Sequence, residues 1–405
     1  MDGHDLSLET PFMSDALAPP APAGSAVLPR LLPFVAAVFL GFLAIGLPLS
    51  VLPLHVHDAL GFGAVLVGVV VGLQSVATVL TRRHAGILSD TRGPKRAVLT
   101  GLAASALAGV CYGLSLLMPG GSIGALAAIL CGRVVLGFGE SLFMTGALSW
   151  AIATVGPRNA GKVMSWNGIA MYSAIAAGAP AGLAIQEAGG FGALALAASL
   201  APLAGLAVAA MVPAVPVPGG VRMPFTAVIG LVLRPGLGLA LGSAGFAVLA
   251  TFAPLLFAAR GWDGAGLALT AFGVAYIAVR LVAGGLPDRL GGKRVAAGSL
   301  AVEAVGHLIV WQASSPTMAV AGAAVIGLGF SLVLPALGVE AVKRVPAQNR
   351  GVALAAFVAF FDLSIAFGAP VAGGLVGSWG YPAVFLAAAG AALLSVLVTA
   401  TDRHS

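Results

Sequence analysis

Five charged side chains sit inside apolar stretches of this 405-residue chain: Arg133, Glu140, Glu303, Glu340 and Asp362. An ionised side chain at the centre of a bilayer costs about 2.5–3.5 kcal/mol on insertion scales. Such groups must face one another, face water, or take up a proton. Arg keeps its charge, so Arg133 either biases a carboxylate or an anion, or is held by backbone carbonyls. Glu140 lies seven residues further on, two turns along the same helical face and about 10 Å away by helical rise. Asp362, in "AFFDLSIAF", either loads and unloads a proton as its surroundings change or makes a fixed hydrogen bond to a neighbouring Ser or carbonyl. Arg133, Glu140 and Asp362 are the candidate proton-handling residues. Glu303 and His307 are four apart and can pair on one helix face as a structural unit. Glu340 has the spacing of an interfacial ion pair with Lys343 or Arg344. His55, His57 and Asp58 offer metal-ligand chemistry, but their place at the end of an apolar run reads as a wet loop entrance. No metal and no cofactor are expected.

The elements that carry these residues follow from composition. Hydrophobic residues make up 59% of the chain and charged residues only 8%, against about 25% charged in a soluble domain. Mean hydropathy is +1.04. A membrane helix needs roughly 20 mostly apolar residues. Twelve such runs are predicted, near 30–55, 64–88, 96–117, 123–149, 161–185, 191–212, 230–258, 265–287, 295–313, 318–342, 352–376 and 382–400. Many of the 57 glycines lie inside them, where small residues let helix backbones approach closely.

An even number of crossings puts both termini on one side. With that side cytoplasmic, every one of the 20 Lys and Arg except Arg133 and Arg260 falls on it or at an adjoining helix end. That is the bias expected of cytoplasmic loops. The basic balance is thus a topology signal, and no basic patch outside the short turns suggests nucleic-acid binding. Residues 1–28 are acidic, then Pro/Ala-rich, and lack the basic start of a secretory signal; they read as a disordered cytoplasmic tail. Cys111 and Cys131 both fall inside apolar runs and read as reduced packing thiols.

The chain also repeats itself. "AGILSDTRGPKR" (85–96) returns as "GGLPDRLGGKR" (284–294), so that Gly86, Asp90, Lys95 and Arg96 match Gly284, Asp288, Lys293 and Arg294. Arg82 and Arg280 precede the two Asp residues by the same eight positions. Further along, "GPRNAGKV" (156–163) answers "PAQNRGVA" (346–353), and "GAPAGLA" (178–184) answers "GAPVAGG" (368–374). Two six-run halves, 29–212 and 230–401, are therefore expected, joined by a cytoplasmic linker at 213–229. Parallel repeats of this kind mark a rocking transporter with its substrate site between the halves. In each repeated loop an Asp can cap the positive end of a neighbouring helix, worth about 0.3–1 kcal/mol. Gly86, Asp90, Gly93, Lys95 and Arg96, with Gly284, Asp288, Arg289, Gly291 and Arg294, form a candidate conformational latch. Gln74, Asn167, Tyr172 and Tyr276 are polar or amphipathic residues inside the runs, and are candidate substrate contacts.

The motif Gly86-x-Leu88-x-Asp90-x-x-Gly93-x-Lys95-Arg96 resembles the loop 2–3 signature of the major facilitator superfamily, and its copy from Gly284 lies in the equivalent loop 8–9. "GRVVLGFGE" (132–140) resembles the family's fourth-helix motif, and "AIAAGAPAG" (174–182) the fifth-helix motif of its drug:proton antiporter branch, with the final Gly pair only partly kept. The run as a whole, including "GLPLSVLPLHVHDALGF" and "ALGVEAVKRVP", is similar to the bacterial YhhS-type transporters. The resemblance implies an all-α integral membrane fold of twelve transmembrane helices in two pseudo-symmetric six-helix bundles. It implies that Asp90 approaches the start of the eleventh helix (349–352) and Asp288 the start of the fifth (159–162) in the outward-facing state, and that Arg133 occupies a position linked to proton coupling. The expected function is proton-coupled export of a small organic solute by a monomer in the bacterial inner membrane. Proton-coupled uptake is the alternative, and a non-transporting sensor a more distant one. An enzyme is not expected: the short loops carry no nucleophile–base or metal cluster, and no GxxxxGK[ST] loop points to ATP.

Overall fold

The computed structural model describes residues 27–156, 159–216, 225–345 and 350–400. The expected tail thus lies almost wholly outside the described residues. Among the described residues every regular element is helical: α1 (Val27–Leu49), α2 (Val51–Leu54) running into a π-turn (His55–Ala59), α3 (Ala64–Arg92), α4 (Pro94–Ser115), α5 (Ile123–Val155), α6 (Ala160–Met211), α7 (Phe225–Arg260), α8 (Ala265–Ala283), α9 (Leu286–Leu290), α10 (Gly292–Trp311), α11 (Pro316–Val342) and α12 (Arg350–Ala400).

Among the described residues ten continuous helical stretches are long and apolar enough to cross a membrane, where twelve runs were expected. The difference lies in α6 and α12, of 52 and 51 residues. At 1.5 Å per residue each is over 75 Å long, more than twice the roughly 30 Å of hydrocarbon. Each contains one residue outside helical geometry, Gly190 (φ 69°) and Gly380 (φ 76°). These φ values favour glycine, which has no Cβ to clash. Both kinks fall in the breaks expected at 186–190 and 377–381, so those breaks are single-residue kinks rather than loops. The seventh run also begins earlier than expected, at Phe225.

Local chemistry sets several helix ends. Ser122 and Ser315 accept hydrogen bonds from the backbone amides of Ala125 and Met318, both at 3.2 Å, the usual way an orphan N–H is satisfied. Pro94 and Pro316 sit in the first helical turn, where a missing N–H costs nothing. The repeat is visible in the backbone itself: Gly93 and Gly291 introduce α4 and α10 with φ of 93° and 88°.

Large apolar side chains cover the outside, among them Leu80, Leu117, Ile123, Met211, Val282 and Trp379. In water such a surface would drive association; against lipid tails it needs no cover. The halves meet chiefly along two helix pairs, α3 with α12 and α6 with α8, with smaller contacts of α2 and α3 on α7. Close contacts run through the N-terminal halves of α3 and α8. A Cβ on Gly68 would lie 2.5 Å from the Ala369 carbonyl oxygen and 2.8 Å from Pro370 Cα, and one on Gly266 would lie 2.9 Å from Pro180 Cα. The face of the bundle opposite the Gly93 and Gly291 junctions is therefore shut by backbone-to-backbone packing.

Candidate functional site

Gln74, Thr78 and Arg82 are spaced by four residues on α3 and so lie along one helical face. Arg82 Nε donates to Asp362 Oδ2 of α12 at 2.8 Å, and Arg82 Nη2 donates to the same oxygen. This ion pair joins the two halves of the chain. Asp362 is 4% exposed, and its carboxylate has a cation rather than the Ser or carbonyl partner weighed from sequence. Gln74 Nε2 donates to Glu140 Oε2 of α5 at 2.8 Å, and the Thr78 hydroxyl lies 3.1 Å from the same oxygen. Glu140, Asp362 and Arg82 lie within electrostatic reach of one another. Two carboxylates and one cation thus share a site that spans α3, α5 and α12.

The structure places Arg133 on main-chain carbonyls, the alternative weighed for it from sequence. Its Nε donates to Val70 O at 2.9 Å and its Nη2 to Val71 O at 3.0 Å, and the residue is only 3% exposed. It therefore ties α5 to α3 by satisfying main-chain carbonyls. The cation recorded on Asp362 is Arg82, read from sequence only as part of the repeat. Thr78 was missed altogether. The signal for both was the four-residue spacing from Gln74.

The expected substrate contacts divide. Gln74 belongs to the carboxylate cluster. Tyr172 of α6 and Tyr276 of α8 pack with ring centroids 3.9 Å apart, and Phe246, Phe272 and Phe330 complete a buried aromatic cluster around Tyr172. Asn167 instead donates to Met144 Sδ at 3.5 Å within the first half. Arg280 Nη2 donates to the Tyr276 hydroxyl at 2.6 Å.

The latch residues are placed unevenly. Gly86 and Asp90 are half-buried on the last turns of α3, and Arg96, Arg289 and Arg294 are exposed. Gly284 follows α8, and Gly291 precedes α10. Lys95 serves its own half: its Nζ donates to Ala210 O and Val212 O at 2.8 and 2.7 Å, closing the C-terminus of α6, where cations are favoured. Asn349, the side chains of 350–352, and those of Asp288, Ala160 and Gly161 lie outside the described residues, so the expected Asp90 and Asp288 contacts do too. Asn159 Nδ2 donates to Val155 O at 2.8 Å.

Elsewhere, Glu303 and His307 on α10 are both 0% exposed, with Nε2 and Oε1 3.8 Å apart, too long for a hydrogen bond. Lys343 Nζ meets Glu340 Oε1 at 2.9 Å, as its spacing suggested. His57 Nδ1 lies 2.9 Å from Phe62 O, and among the described residues no cluster of three metal-ligating side chains occurs. Both cysteines are free.

This bundle, doubled within one chain, has a sequence counterpart. The Major Facilitator Superfamily profile matches residues 34–265 and 236–404. The chain belongs to the Major Facilitator Superfamily. It is 44% identical over 391 residues to the uncharacterized MFS-type transporter YhhS of Escherichia coli (strain K12), covering 96% of each chain. In fold it is similar to a crystal structure of the D-xylose-proton symporter, with a TM-score of 0.76, 17% identity and coverage of 92% of this chain and 96% of that one. A crystal structure of the nucleoside transporter NupG (D323A mutant) gives 0.74, 15%, 92% and 99%. Membership of the Major Facilitator Superfamily makes the chain a multi-pass membrane transporter rather than an enzyme.

Proposed function

We propose that the chain is a secondary active transporter of a small organic solute, such as a drug-like compound, sugar or metabolite, working by alternating access and coupled to protons through Asp362 and Glu140. On this reading α6 and α12 each cross the membrane twice, turning at Gly190 and Gly380. The ten helical stretches then make twelve crossings, in six-helix bundles at 29–212 and 230–401 joined by a cytoplasmic linker at 213–229. The positive-inside bias supports cytoplasmic termini, and the bacterial relative supports the inner membrane. The protein is read as a monomer.

The observation that carries this reading is the Arg82–Asp362 ion pair between the halves, with Glu140 in its field. Protonating Asp362 removes one charge of the pair and with it part of the attraction between α3 and α12. Proton binding then has different free energy in the joined and parted arrangements, which is the condition for a proton to shift the conformational equilibrium. Glu140, held by Gln74 and Thr78, gives a second carboxylate in the same field. The close approach of the halves at Gly68 and Gly266 supports reading this arrangement as one in which that face is closed. Export is the direction proposed, on the strength of the "AIAAGAPAG" motif.

The experiment is a thermal-shift screen of purified protein against sugars, amphipathic drugs, amino-acid derivatives and metallophores, since a ligand of the native state raises its melting temperature. The ligand found is then followed in proteoliposomes, by counterflow and under an imposed pH gradient. Export by exchange requires that an inward proton gradient drive solute out, and uptake requires the reverse. Net solute movement that is indifferent to an imposed pH gradient would overturn the coupling.

A further inference from the structure

The two halves do not treat their matching arginines alike. The 198-residue offset that pairs Arg82 with Arg280 also pairs Gln74 with Phe272 and Thr78 with Tyr276. The register that pairs Asn159 with Asn349 pairs Glu140 with Phe330 and Tyr172 with Asp362. Each residue of the carboxylate cluster therefore has a mate in the aromatic cluster. The mates meet in space as their counterparts do: Arg82 reaches Asp362, while Arg280 stands over Tyr276 at 5.3 Å, with the Tyr276 ring packed at a tilt against Tyr172. Close backbone contacts keep the same register, since Gly68 packs on Ala369 and Pro370, and Gly266 on Pro180.

The chemical consequence is an unbalanced charge. Asp362 neutralises Arg82. Tyr172, at the matching position, has no charge to offer Arg280. Among the described residues no carboxylate is recorded on Arg280, and its Nε is buried without a hydrogen-bond partner. A buried guanidinium donor left unmade is costly, and more so for a charged group. Across the interface stands Gly168 of α6, where a Cβ would lie 3.5 Å from Arg280 Nη2 and 3.7 Å from the Tyr276 hydroxyl. Glycine at that point leaves the guanidinium face uncovered by any side chain from position 168.

We propose that Arg280, with Tyr276 and Tyr172, forms an anion subsite, and that the transported solute is a small organic anion. Its carboxylate pairs with Arg280, whose planar fork suits a carboxylate. Its apolar or aromatic body lies against the rings of Tyr276 and Tyr172, which combine an apolar face with a polar hydroxyl. The missing counter-charge in the second half is then supplied by the cargo, where the first half supplies it from Asp362. The site lies at the interface of the repeats, where substrates of such folds bind. The proposal rests on the transport reading above and narrows its cargo.

The test compares three probes of one shape and different charge: phenylacetate, phenylacetamide and phenethylamine, with hexanoate, hexanamide and hexylamine as an aliphatic set. Each is added to the purified full-length protein, and the melting temperature and Kd are read. The carboxylates should stabilise the protein, and the amides and amines should not. Arg280→Gln should weaken carboxylate binding by about 10- to 100-fold, the usual worth of a charge-assisted hydrogen bond, and Arg280→Lys by less. Gly168→Leu, which places a side chain in front of Nη2 without touching the charge, should also abolish the carboxylate shift. A carboxylate that stabilises no better than its amide or amine overturns the proposal, as does a carboxylate shift that survives in Arg280→Gln. If Arg280→Gln does not fold, the wild-type charge series and Gly168→Leu decide the matter. A wrong charge preference in a protein that still shows pH-driven solute transport sinks this inference and leaves the transport reading intact.

Discussion

Arg82 and Asp362, 280 residues apart in sequence, form an ion pair that joins the two halves of the bundle. Removing one partner of a buried pair costs about 3–5 kcal/mol, chiefly because the other charge is stranded. Here the Arg82 side chain is 21% exposed, so water screens part of that effect and about 1–3 kcal/mol is expected. Arg82→Gln should therefore lower the melting temperature, and adding Asp362→Asn should recover most of the loss. A double variant as unstable as the sum of its parts would show that the pair is not coupled.

Asp362→Asn and Glu140→Gln separate coupling from transport. Each keeps the shape of the side chain and removes the group that takes the proton. Counterflow should persist, while solute movement driven by a pH gradient should fall about tenfold or more, the loss of about 1.4 kcal/mol of coupling free energy. Full pH-driven transport in both variants would move the search to Glu303 and His307.

Glu303 and His307 should act on stability. Both are fully buried on α10, and a Cβ on Gly245 of α7 would collide with His307 Nε2 and sit 2.6 Å from Glu303 Oε1. The pair fills a space that α7 leaves open. Glu303→Gln should leave pH-driven transport within about twofold, and Gly245→Ala should lower the melting temperature by overpacking, at a typical cost of about 1–3 kcal/mol. Arg133→Gln belongs with them: its donors hold Val70 O and Val71 O, so protein yield and melting temperature should drop while the pH dependence of whatever transport remains is unchanged.

Much of the fold could be read from hydrophobic runs and the doubled phrase, because both are local or periodic signals. Gly93 and Gly291 take matching positive φ at the two copies of the phrase, and the expected breaks near 190 and 380 are where α6 and α12 kink. What was not legible is which charge meets which. Arg133 sits at mid-run and drew attention by its solitude, yet a lone Arg in a helix bundle can be satisfied by carbonyls that no pattern reveals. Arg82 lies near the end of its run beside Arg83 and looked like topology. Its partner is fixed only when α3 packs on α12, a contact between halves that sequence spacing does not encode. The asymmetry of the two halves was present in the sequence all along, but it has meaning only once Tyr172 and Asp362 are known to occupy matching places in space.

Asp90→Asn should reduce transport more than it reduces protein yield. Asp90 lies on the last turn of α3, and on the latch reading its carboxylate caps a helix start in the other half and so favours closure of that face. The amide keeps the shape and loses the charge, a difference of about 0.3–1 kcal/mol, so a several-fold loss of rate is expected with expression near wild type. A variant with normal transport rules out a charge-dependent latch.

The shut face gives the sharpest structural test. Gly68 and Gly266 occupy matching positions and each brings its helix against the backbone of the opposite half. A side chain at either place cannot be accommodated by rotating a rotamer, because the obstruction is main chain: Ala369 O and Pro370 Cα for Gly68, Pro180 for Gly266. Gly68→Val should therefore hold this face apart and bias the protein against the arrangement seen here. Transport should fall about tenfold or more, since a cycle that cannot close one side cannot turn over. The opening can be read directly. In a protein carrying Cys111→Ala and Cys131→Ala, a thiol introduced by Ala369→Cys is buried in the closed arrangement, as Ala369 is. It should react slowly with a membrane-impermeant maleimide, and much faster once Gly68→Val is added. Gly377→Ala, where a Cβ meets nothing within 4 Å, serves as the control and should change neither rate nor labelling. Slow labelling in the Gly68→Val background, with transport intact, would mean that the two halves do not need this contact to close.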